Sequence, residues 1–510
     1  MTERIVRRRQ ANGSATLAGS ARVYLGGSSP VVAAAALALS LVAGCATSST
    51  TSPGVIAAKA DLSLILPADW RAPTGDPAAA ANDLDFGDPT LARLVAEALE
   101  ANPDLQVAAA RVAMAAADAR IAGADLYPKI GLGGNGGRQR DVFVGFPVDA
   151  PGVSSPLSST TSRLGVSLDI SWELDVWGRV RAGREAAGAD LAAAVAEWNG
   201  ARLSLAAQTA KAWFALLEAR EQLALAEDTL ASWLASAEQV QARYSLGVRS
   251  PLDVRLSRTQ VAGAEARASV RRLALENTAR QLEVLLGRYP AAELADPARE
   301  AGRPLHHWAS LQPVPAGIPA ELLARRPDLV RAEQNVYAAD RRVAAAKAAL
   351  LPRIAITGSA GTVSDDFTHL LDGDFGVWSW AANLMQPILE GGRLRGAVSK
   401  AKAGAGAEVS AYISTALVAF AEVESALSGE THLAVTELAL ESAAREAAAA
   451  ETLAAERYRS GLEDYVTLLD SRRTALEASS ALLEARRRRL DNRVDLVLAL
   501  GGGLDAAETP

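Results

Sequence analysis

Long stretches with helical spacing of apolar residues alternate along the chain with shorter regions of period two. Asp88-Pro89 supplies an N-cap residue and a proline suited to the first helical turn, and Asn102-Pro103-Asp104 restarts the helical pattern. Small and apolar residues then recur at four-three spacing, which is typical of closely packed helices: Leu105, Ala109, Val112, Ala116 and Ala119. The pattern predicts a helix that ends at Tyr127-Pro128.

The next region changes to a period of two residues. Two runs place apolar side chains on one face and small or polar side chains on the other: Ile130 and Leu132, then Leu164, Val166, Leu168 and Ile170. This pattern predicts two β-strands joined by a long loop. A membrane barrel strand has such a pattern, with lipid on one side and water on the other. A soluble, half-buried hairpin gives the same alternation and remains an alternative.

A proline-free helical pattern begins after Gly178-Arg179 and runs to about Arg243. At 1.5 Å per residue this is a helix of about 100 Å, too long to be the core helix of a compact domain. The frame Arg243-Tyr244-x-x-Gly247 ends it, and a second helix returns to about Leu286-Gly287. Because a left-handed Gly ends a helix without Cβ strain, we predict a tight helical hairpin.

The whole pattern occurs twice. Arg326-Pro327-Asp328-Leu329 repeats the start of the first unit 224 positions later, whereas Gly392-Arg393 and Gly461 repeat Gly178-Arg179 and Gly247 at a shift of 214. The first copy is therefore expected to carry about ten more residues in its strand loop. Strand-like alternation also returns in the second copy, and its paired Trp residues suit an interfacial aromatic girdle: Ile354, Ile356, Trp378, Trp380, Ala382 and Leu384.

The N-terminus has the order of a lipoprotein signal peptide. Basic residues precede an apolar run from about Val31 to Ala43, which is too short to span a bilayer comfortably. Val42-Ala43-Gly44-Cys45 resembles the bacterial lipobox, in which the Cys thiol is acylated and the chain is cut before it. Cys45 is the one Cys of the chain, so intrachain disulfides and Cys-rich metal sites are excluded. We expect a covalent lipid on Cys45 and no other cofactor; a buried, unmodified Cys is the alternative.

These boundaries divide the chain into six parts. Residues 1–44 are the predicted signal peptide, 45–85 a lipidated tether, 86–290 the first repeat, 291–317 a linker, 318–502 the second repeat and 503–510 a C-terminal tail.

Composition and charge narrow the class of function. An Ala-rich chain with 5% aromatic residues fits long, closely packed helices better than an ordinary α/β enzyme. The net charge of −7 becomes −11 without residues 1–44, so nucleic-acid binding is not expected. No Ser/His/Asp motif or Walker loop occurs, and the glycine run at 133–137 lacks the Lys of a phosphate-binding loop. His306-His307 has no accompanying Cys or carboxylate set, so neither an enzyme nor a metal site is predicted.

Two copies of the unit supply four strands, which cannot close a barrel. Open sheet edges are not tolerated in lipid, so other copies of the chain must complete the strands in a closed ring. Three chains give about twelve strands, an even number within the range of outer-membrane barrels. We therefore predict a mainly α chain with a β-barrel membrane part, built from two tandem repeats of helix, two strands, long helix and return helix.

Several motifs occur in a fixed order along the mature chain. They are the lipobox Cys45, Asp88-Pro89, Arg325-Arg326-Pro327-Asp328-Leu329 with Ala332-Glu333, Gln386-Pro387-Ile388 with Gly391-Gly392-Arg393, and the two Tyr-x-x-Gly turns. This set resembles the TolC/OprM outer-membrane efflux family, in its lipoprotein (NodT-like) branch. The resemblance implies a homotrimer with a 12-stranded barrel in the bacterial outer membrane and an α-helical barrel across the periplasm.

The resemblance also implies partners and an activity. The helical barrel would dock at its tips onto a periplasmic adaptor and an inner-membrane transporter, commonly of the resistance-nodulation-division (RND) class. The chain would then be a passive, gated duct that exports small molecules, with energy supplied by the pump.

By the same resemblance, acidic and polar residues near the tips form the periplasmic gate. Asp470 stands where the family places an inward-facing carboxylate, and Asp253 occupies the acidic position of the first tip. Thr467 replaces a second acidic residue found in some members. Three copies of the carboxylate in a ring would select against anions. Solvated helix charges are the alternative for both Asp residues.

Four further residues are implied in docking at the tips. Tyr244 and Tyr458 resemble the tyrosines that brace neighbouring helices, and Gly247 and Gly461 let the turns dock on adaptor helices. Plain packing is the alternative for the tyrosines. A structural coiled-coil lipoprotein or an adaptor is the rival class for the whole chain, but neither requires alternating strands at matching places in both copies.

Overall fold

The computed structural model describes residues 53–63, 67, 70–72, 86–145, 157–308 and 319–502. Its helices are α1 (Pro53–Ser63), α2 (Pro89–Ala101), α3 (Pro103–Ala124), α4 (Arg179–Ser245), α5 (Pro251–Leu285), α6 (Pro319–Arg325), α7 (Pro327–Ala348), α8 (Arg393–Arg459) and α9 (Tyr465–Ala499). The strands are β1 (Lys129–Phe143), β2 (Leu157–Leu174), β3 (Arg353–Ser364) and β4 (Gly376–Met385). Cys45 and the predicted signal peptide lie outside the described residues.

The predicted internal repeat is confirmed. The order helix, two strands, long helix, return helix is α3-β1-β2-α4-α5 in the first copy and α7-β3-β4-α8-α9 in the second. Both long helices have 67 residues and both return helices have 35. At 1.5 Å per residue, each long helix measures about 100 Å, as the proline-free pattern predicted.

Polar residues cap the helices where the sequence pattern places their starts. The Asp88 carboxylate accepts the Thr90 main-chain N–H at 3.0 Å and so caps α2. Its other oxygen accepts the indole N–H of Trp213 at 3.1 Å, inside the core. Asn102 caps α3 through the Asp104 N–H at 2.9 Å. The Asp88 carboxylate thus both caps α2 and connects it to the long helix α4.

An apolar core surrounds each long helix, and the core of the first repeat also includes Leu490, Val494 and Val497 of α9. In the first, Trp213 and Phe214 of α4 are covered by Leu305 and Trp308, which belong to the segment predicted as a linker. The Trp308 and Phe214 rings meet edge to face at 5.3 Å. The described part of the linker is therefore a packed cover of the first core.

The second core is covered by the N-terminal segment. Val55 and Ala58 of α1 and Trp70 are buried against α7 and α8. The Glu424 carboxylate accepts the main-chain N–H groups of Arg71 at 2.8 Å and Ala72 at 3.1 Å. In residues 53–63 and 70–72 the structure thus differs from the predicted tether, because buried apolar side chains dock this segment on the second repeat.

The four strands form one antiparallel sheet in the order β1-β2-β3-β4. Ile130 pairs with Ile170, and Leu132 pairs with Leu168, so their side chains share one face. Paired positions carry this face across the sheet through Ala360 to Trp378 and through Gly358 to Trp380. Ser167, Asp169, Ser359 and Ser379 lie on the opposite face. The predicted apolar and polar faces are therefore confirmed, and β1 and β4 are left as unpaired edges within the described chain.

The first hairpin differs from the prediction in one respect. Residues 136–143 of β1 pair with residues 157–164 of β2, whereas β2 pairs with β3 only from Leu164 onward. The additional residues of the first copy therefore lengthen its strands, and placing all of them in a loop was wrong. Their Gly, Arg and Ser composition lacks the apolar alternation by which a strand is recognised.

Candidate functional site

The two hairpin tips have the same backbone turn. Gly247 and Gly461 both have φ = +76°, the left-handed conformation that L side chains rarely adopt. At the first tip the Gly247 N–H donates to the Tyr244 carbonyl at 2.9 Å, and the next N–H reaches back to Arg243. Corresponding bonds form at Gly461. A Cβ would meet no other atom within 4 Å at either glycine, so the backbone angle alone requires Gly there.

The helices after the tips begin with different caps. Ser250 and Asp253 form a reciprocal capping box at α5, in which the Asp253 N–H donates to the Ser250 hydroxyl at 3.2 Å. At α9, Asp464 caps the helix by accepting the Thr467 N–H at 2.8 Å. The hydrogen bonds from Thr467, main chain first and side chain second, lower the pKa of Asp464. Two predicted gate residues, Asp253 and Thr467, thus participate in helix starts.

The two tip tyrosines have different environments. Tyr244 is 41% exposed, whereas Tyr458 is 1% exposed. The ring of Tyr458 packs on Tyr465 with centroids 5.5 Å apart, and the guanidinium of Arg249 lies 4.6 Å from its centre. Burial raises the pKa of the Tyr458 hydroxyl, and the charges of Arg249 and Arg243 oppose this shift. Within the described part of the chain, Tyr458 is buried between the two hairpins and Tyr244 is not, and the roles predicted for both at the tips stay predictions.

Arg243 links the first hairpin to the second. Its guanidinium donates to the main-chain carbonyls of Tyr458 at 3.2 Å and Arg459 at 2.8 Å. The equivalent residue of the second tip, Arg457, instead pairs with Glu463 of its own turn at 3.3 Å. Below these polar contacts lies a small apolar cluster from both hairpins: Val240, Val254, Ala454, Ala455, Tyr458, Tyr465 and Leu468. The two tips are therefore joined by an apolar contact and by charged hydrogen bonds that the first hairpin donates to the second.

Asp470 lies two residues beyond Leu468, the last member of this cluster. Its side chain is 66% exposed, and it pairs with Arg473 at 2.8 Å. It therefore faces solvent in a single chain, with its charge partly balanced by the next turn of α9. The gate role predicted for Asp470, Asp253 and Thr467 stays a prediction.

A second set of links joins the hairpins above the tips. Arg472 of α9 donates to the Ser232 carbonyl of α4 at 3.3 Å, and its guanidinium lies 4.8 Å from the Trp233 ring centre. Burial lowers the pKa of Arg472, and its ion pair with Glu451 at 3.4 Å opposes the shift. The Ser480 hydroxyl also donates to Gln222 at 2.9 Å. Side chains of α9 thus hold α4 along more than one helical turn.

Sequence reasoning missed three of these linking residues. Arg249 and Tyr465 lie where the two repeats differ, since their equivalents are Glu463 and Pro251. Arg472 lies two residues after the predicted gate residue Asp470, and the sequence pattern predicts no role for it. Positions at which the two copies of the tip disagree are the signal that would have identified Arg249 and Tyr465, because a contact between unlike hairpins cannot be symmetric.

Comparisons with known proteins agree with this architecture. The sequence profile described as outer membrane efflux protein matches residues 94–288 and again residues 318–502. The chain is 33% identical over 419 residues to the probable efflux pump outer membrane protein TtgC of Pseudomonas putida, which covers 82% of this chain and 84% of that protein. Outer membrane protein OprJ of Pseudomonas aeruginosa is 32% identical over 420 residues, with 82% and 85% covered.

A solved structure has the same fold. The open-state outer membrane channel MtrE of Neisseria gonorrhoeae superposes with a TM-score of 0.72 at 30% identity, covering 86% of this chain and 98% of that one. The repeats, the sheet and the hairpins thus have counterparts across both proteins. This chain belongs to the outer membrane efflux protein family and is an outer-membrane channel component of an efflux system.

Proposed function

We propose that three copies of this chain form a passive, gated duct that carries small molecules through the outer membrane. The observation that carries the proposal is the single four-stranded sheet with an apolar face and two unpaired edges. Leu132, Trp378 and Trp380 on that face are 73–80% exposed in one chain. Such side chains are stable in lipid, and edge N–H and C=O groups in lipid need partners.

Closure by copies of the same chain satisfies both requirements. β4 of one protomer pairs with β1 of the next, and three sheets of four strands close a 12-stranded barrel without an edge. The polar face, with Ser167, Asp169 and Ser359, then lines a water-filled lumen. The long helices continue this lumen as a helical barrel in the periplasm.

The hairpin tips are the proposed periplasmic end of the duct. Tyr244, Gly247 and Gly461 form the surface on which a periplasmic adaptor docks, and the buried Tyr458 supports that surface from within. An inner-membrane transporter, of the RND class, supplies energy. Asp470, Asp253 and Thr467 of the three protomers contribute rings at the constriction, where three copies of each carboxylate favour cations. The chain acts as a duct and performs no enzymatic step.

Acylation of Cys45 anchors the N-terminus in the membrane in this proposal. Buried contacts of Val55, Ala58 and Trp70 then connect the anchored segment to the second repeat. The lipid and the barrel hold the protein in the same membrane, so a Cys45→Ser variant is expected to stay inserted as a trimer.

Single-channel recording of the purified trimer in planar bilayers tests the proposal. We expect cation-selective currents from the wild type, and reduced selectivity or easier opening in Asp470→Ala and Asp253→Ala. A membrane-inserted trimer whose selectivity and opening are unchanged in both variants would contradict the gate assignment. Failure of the folded wild-type protein to insert into membranes would contradict the duct itself and favour a periplasmic adaptor.

A further inference from the structure

The first β-hairpin extends beyond the sheet as a two-stranded ribbon, here called the ribbon and formed by residues 137–143 and 157–163. The last pair between β2 and β3 is Leu164 with Ser364, and β4 begins at Gly376, opposite Thr362. Seven residues on each strand extend the ribbon by roughly 23 Å. An isolated two-stranded hairpin is marginally stable in water, so a ribbon of this length gains from a surface that it can contact.

The pairing register decides which ribbon side chains share the apolar face of the sheet. Even-numbered residues of β1 continue the face of Ile130 and Leu132, which places Arg138 and Arg140 on it. Their partners across the ribbon are Ser162 and Thr160. The Arg140 guanidinium donates to the Ser158 hydroxyl at 3.2 Å, which holds it along this face.

The outward face of the ribbon is basic. The one carboxylate of the ribbon, Asp141, lies on the opposite face, where the Gln139 amide donates to it at 2.7 Å. Arg163 also lies on that opposite face, paired with Gly137. The face continuous with the lipid-facing band thus carries two guanidinium groups and no acid.

The two arginines lie just beyond the end of the apolar band. Gly136 pairs with Leu164, the last large apolar residue of the band on β2. Arg138 is two positions beyond that level and Arg140 four, or roughly 7 and 13 Å along the strand. Lipid headgroups begin at the edge of the hydrocarbon layer, and a guanidinium binds phosphate oxygens through two parallel N–H groups.

We propose that the ribbon is a lipid-docking surface, on which Arg138 and Arg140 bind the phosphate groups of lipids in the outer leaflet around the barrel. This inference rests on the closed trimeric barrel proposed above. Docking would orient the ribbon against the membrane surface and leave its other face, with Gln139, Asp141 and Arg163, towards the exit of the duct. The second hairpin has no such strands, since β3 ends at Ser364.

A second copy of the chain is the competing occupant. The connection between β3 and β4 carries four carboxylates, at Asp365, Asp366, Asp372 and Asp374, and would lie beside the ribbon of the next protomer. That loop would approach along the strand edge, in the plane of the sheet. Arg138 and Arg140 project from the outward face, so their direction favours lipid.

Lipid binding by the full-length trimer in detergent tests the proposal. The probe is phosphatidic acid, with phosphatidylcholine as the neutral reference, and native mass spectrometry gives the dissociation constant of bound lipid. At about fivefold for each surface arginine, Arg138→Gln/Arg140→Gln is expected to weaken phosphatidic acid binding about 25-fold. The matched control is Arg163→Gln, which removes one charge from the opposite face and is compared with the single variants Arg138→Gln and Arg140→Gln. It should change binding less than twofold, against about fivefold for each single variant. Arg138→Lys/Arg140→Lys should retain most of the affinity.

Each other result overturns the inference. Equal losses in the double variant and in Arg163→Gln would mean that overall charge, not this face, attracts lipid. Displacement of the lipid by an equal concentration of inorganic phosphate would assign the arginines to free anions. A third result would be unchanged lipid binding by the double variant together with trimer dissociation at a lower temperature. If an Asp372→Asn/Asp374→Asn variant lowered that temperature as well, Arg138 and Arg140 would be assigned to a contact with the neighbouring chain. A wild-type protein that forms no trimer and carries no current would overturn both this inference and the proposed duct.

Discussion

The guanidinium of Arg243 donates to the main-chain carbonyl of Tyr458 at 3.2 Å, across the boundary between the two repeats. A second bond from the same group reaches the Arg459 carbonyl at 2.8 Å. Both acceptors are carbonyls at the C-terminal end of α8, where the helix dipole is negative and a cation is favoured. One side chain of the first hairpin therefore caps the long helix of the second.

Replacement of Arg243 should loosen the contact between the tips. Charged hydrogen bonds that are partly exposed contribute about 1–2 kcal/mol, so Arg243→Ala should raise the open population of the duct roughly tenfold. Single-channel open probability measures this. Arg457→Ala is the matched control, because Arg457 pairs within its own turn. Equal effects of the two variants would show that the link between the hairpins is not what restrains the tips.

A buried set of ion pairs joins α8 to α9 in the second repeat and has no counterpart between α4 and α5 among the described residues. The Glu437 carboxylate, with a side chain 5% exposed, accepts hydrogen bonds from Arg486 at 3.3 Å and Arg489 at 2.8 Å. Loss of one partner from a buried charge set costs about 3–5 kcal/mol, because the remaining charges stay desolvated. Glu437→Ala should therefore lower the stability of the trimer by that order, measured by heat dissociation or guanidinium unfolding.

The first repeat provides the control for this prediction. At the positions equivalent to Glu430, Glu437, Arg489 and Arg493 it has Leu216, Leu223, Leu275 and Ala279. Leu216, Leu275 and Ala279 are buried, and Leu223 is partly buried against the same core.

A variant that introduces those four residues together removes the charges as a set. This variant keeps the ion pair between Arg486 and Glu441. The equivalent ion pair in the first repeat is Arg272 with Glu227. Since apolar replacement of a complete buried set is often neutral or stabilising, we expect it to be at least as stable as the wild type. A quadruple variant less stable than Glu437→Ala would contradict this account.

The tip glycines should tolerate Asn better than Ala. Gly461→Ala forces a Cβ into a backbone with φ = +76° and should cost about 1–2 kcal/mol in local stability. Asn adopts the left-handed conformation more readily, so Gly461→Asn should cost less. Hydrogen exchange of main-chain amides at the second tip measures the difference. Open space surrounds Gly461, so the structure predicts no steric difference between Ala and Asn there. An equal loss of local stability in Gly461→Ala and Gly461→Asn would contradict this explanation by backbone angle.

Asp491 should make stability depend on pH. Burial raises its pKa to about 6, even though Arg487 forms an ion pair with it, and its Oδ1 has no hydrogen-bond partner among the described residues. An unfolded Asp has a pKa of about 3.9. The folded state therefore favours the protonated form, and its contribution is fully present below about pH 4 and lost as the pH rises through about 6.

We accordingly expect the heat-dissociation midpoint of the trimer to rise when the pH falls from about 7.5 to 5. Asp491→Asn introduces the residue found at the equivalent Asn277 and should remove this part of the pH dependence. Glu484→Gln is the control, since Glu484 pairs with Arg488 on the same helix and is half exposed. A pH profile unchanged by Asp491→Asn would contradict the assignment.

Local features of this protein were predictable from the sequence because short-range physics determines them. Alternation at Ile130, Leu132 and Leu168 predicts which strand face is apolar, since side chains alternate across a strand whatever the rest of the chain does. The recurrence of Gly247 as Gly461 predicts two equal turns, since only Gly adopts that φ without strain. The shift of 214 positions then predicts two copies of one unit.

Tertiary structure alone decided where the two copies differ. Tyr244 and Tyr458 share one motif, yet only Tyr458 is buried, because Arg243 and Arg249 of the other hairpin pack over it from about 210 positions away in sequence. In the sequence, Glu437 resembles any solvent-exposed charge on a helix. In the structure, α9 places two Arg side chains beside it. The strand extension to Phe143 is likewise visible only in its pairing with Leu157. The periodicity of apolar residues predicts the conformation of one helix or strand. Which other element packs against it depends on contacts between segments far apart in sequence, and a local sequence pattern carries no information about those contacts.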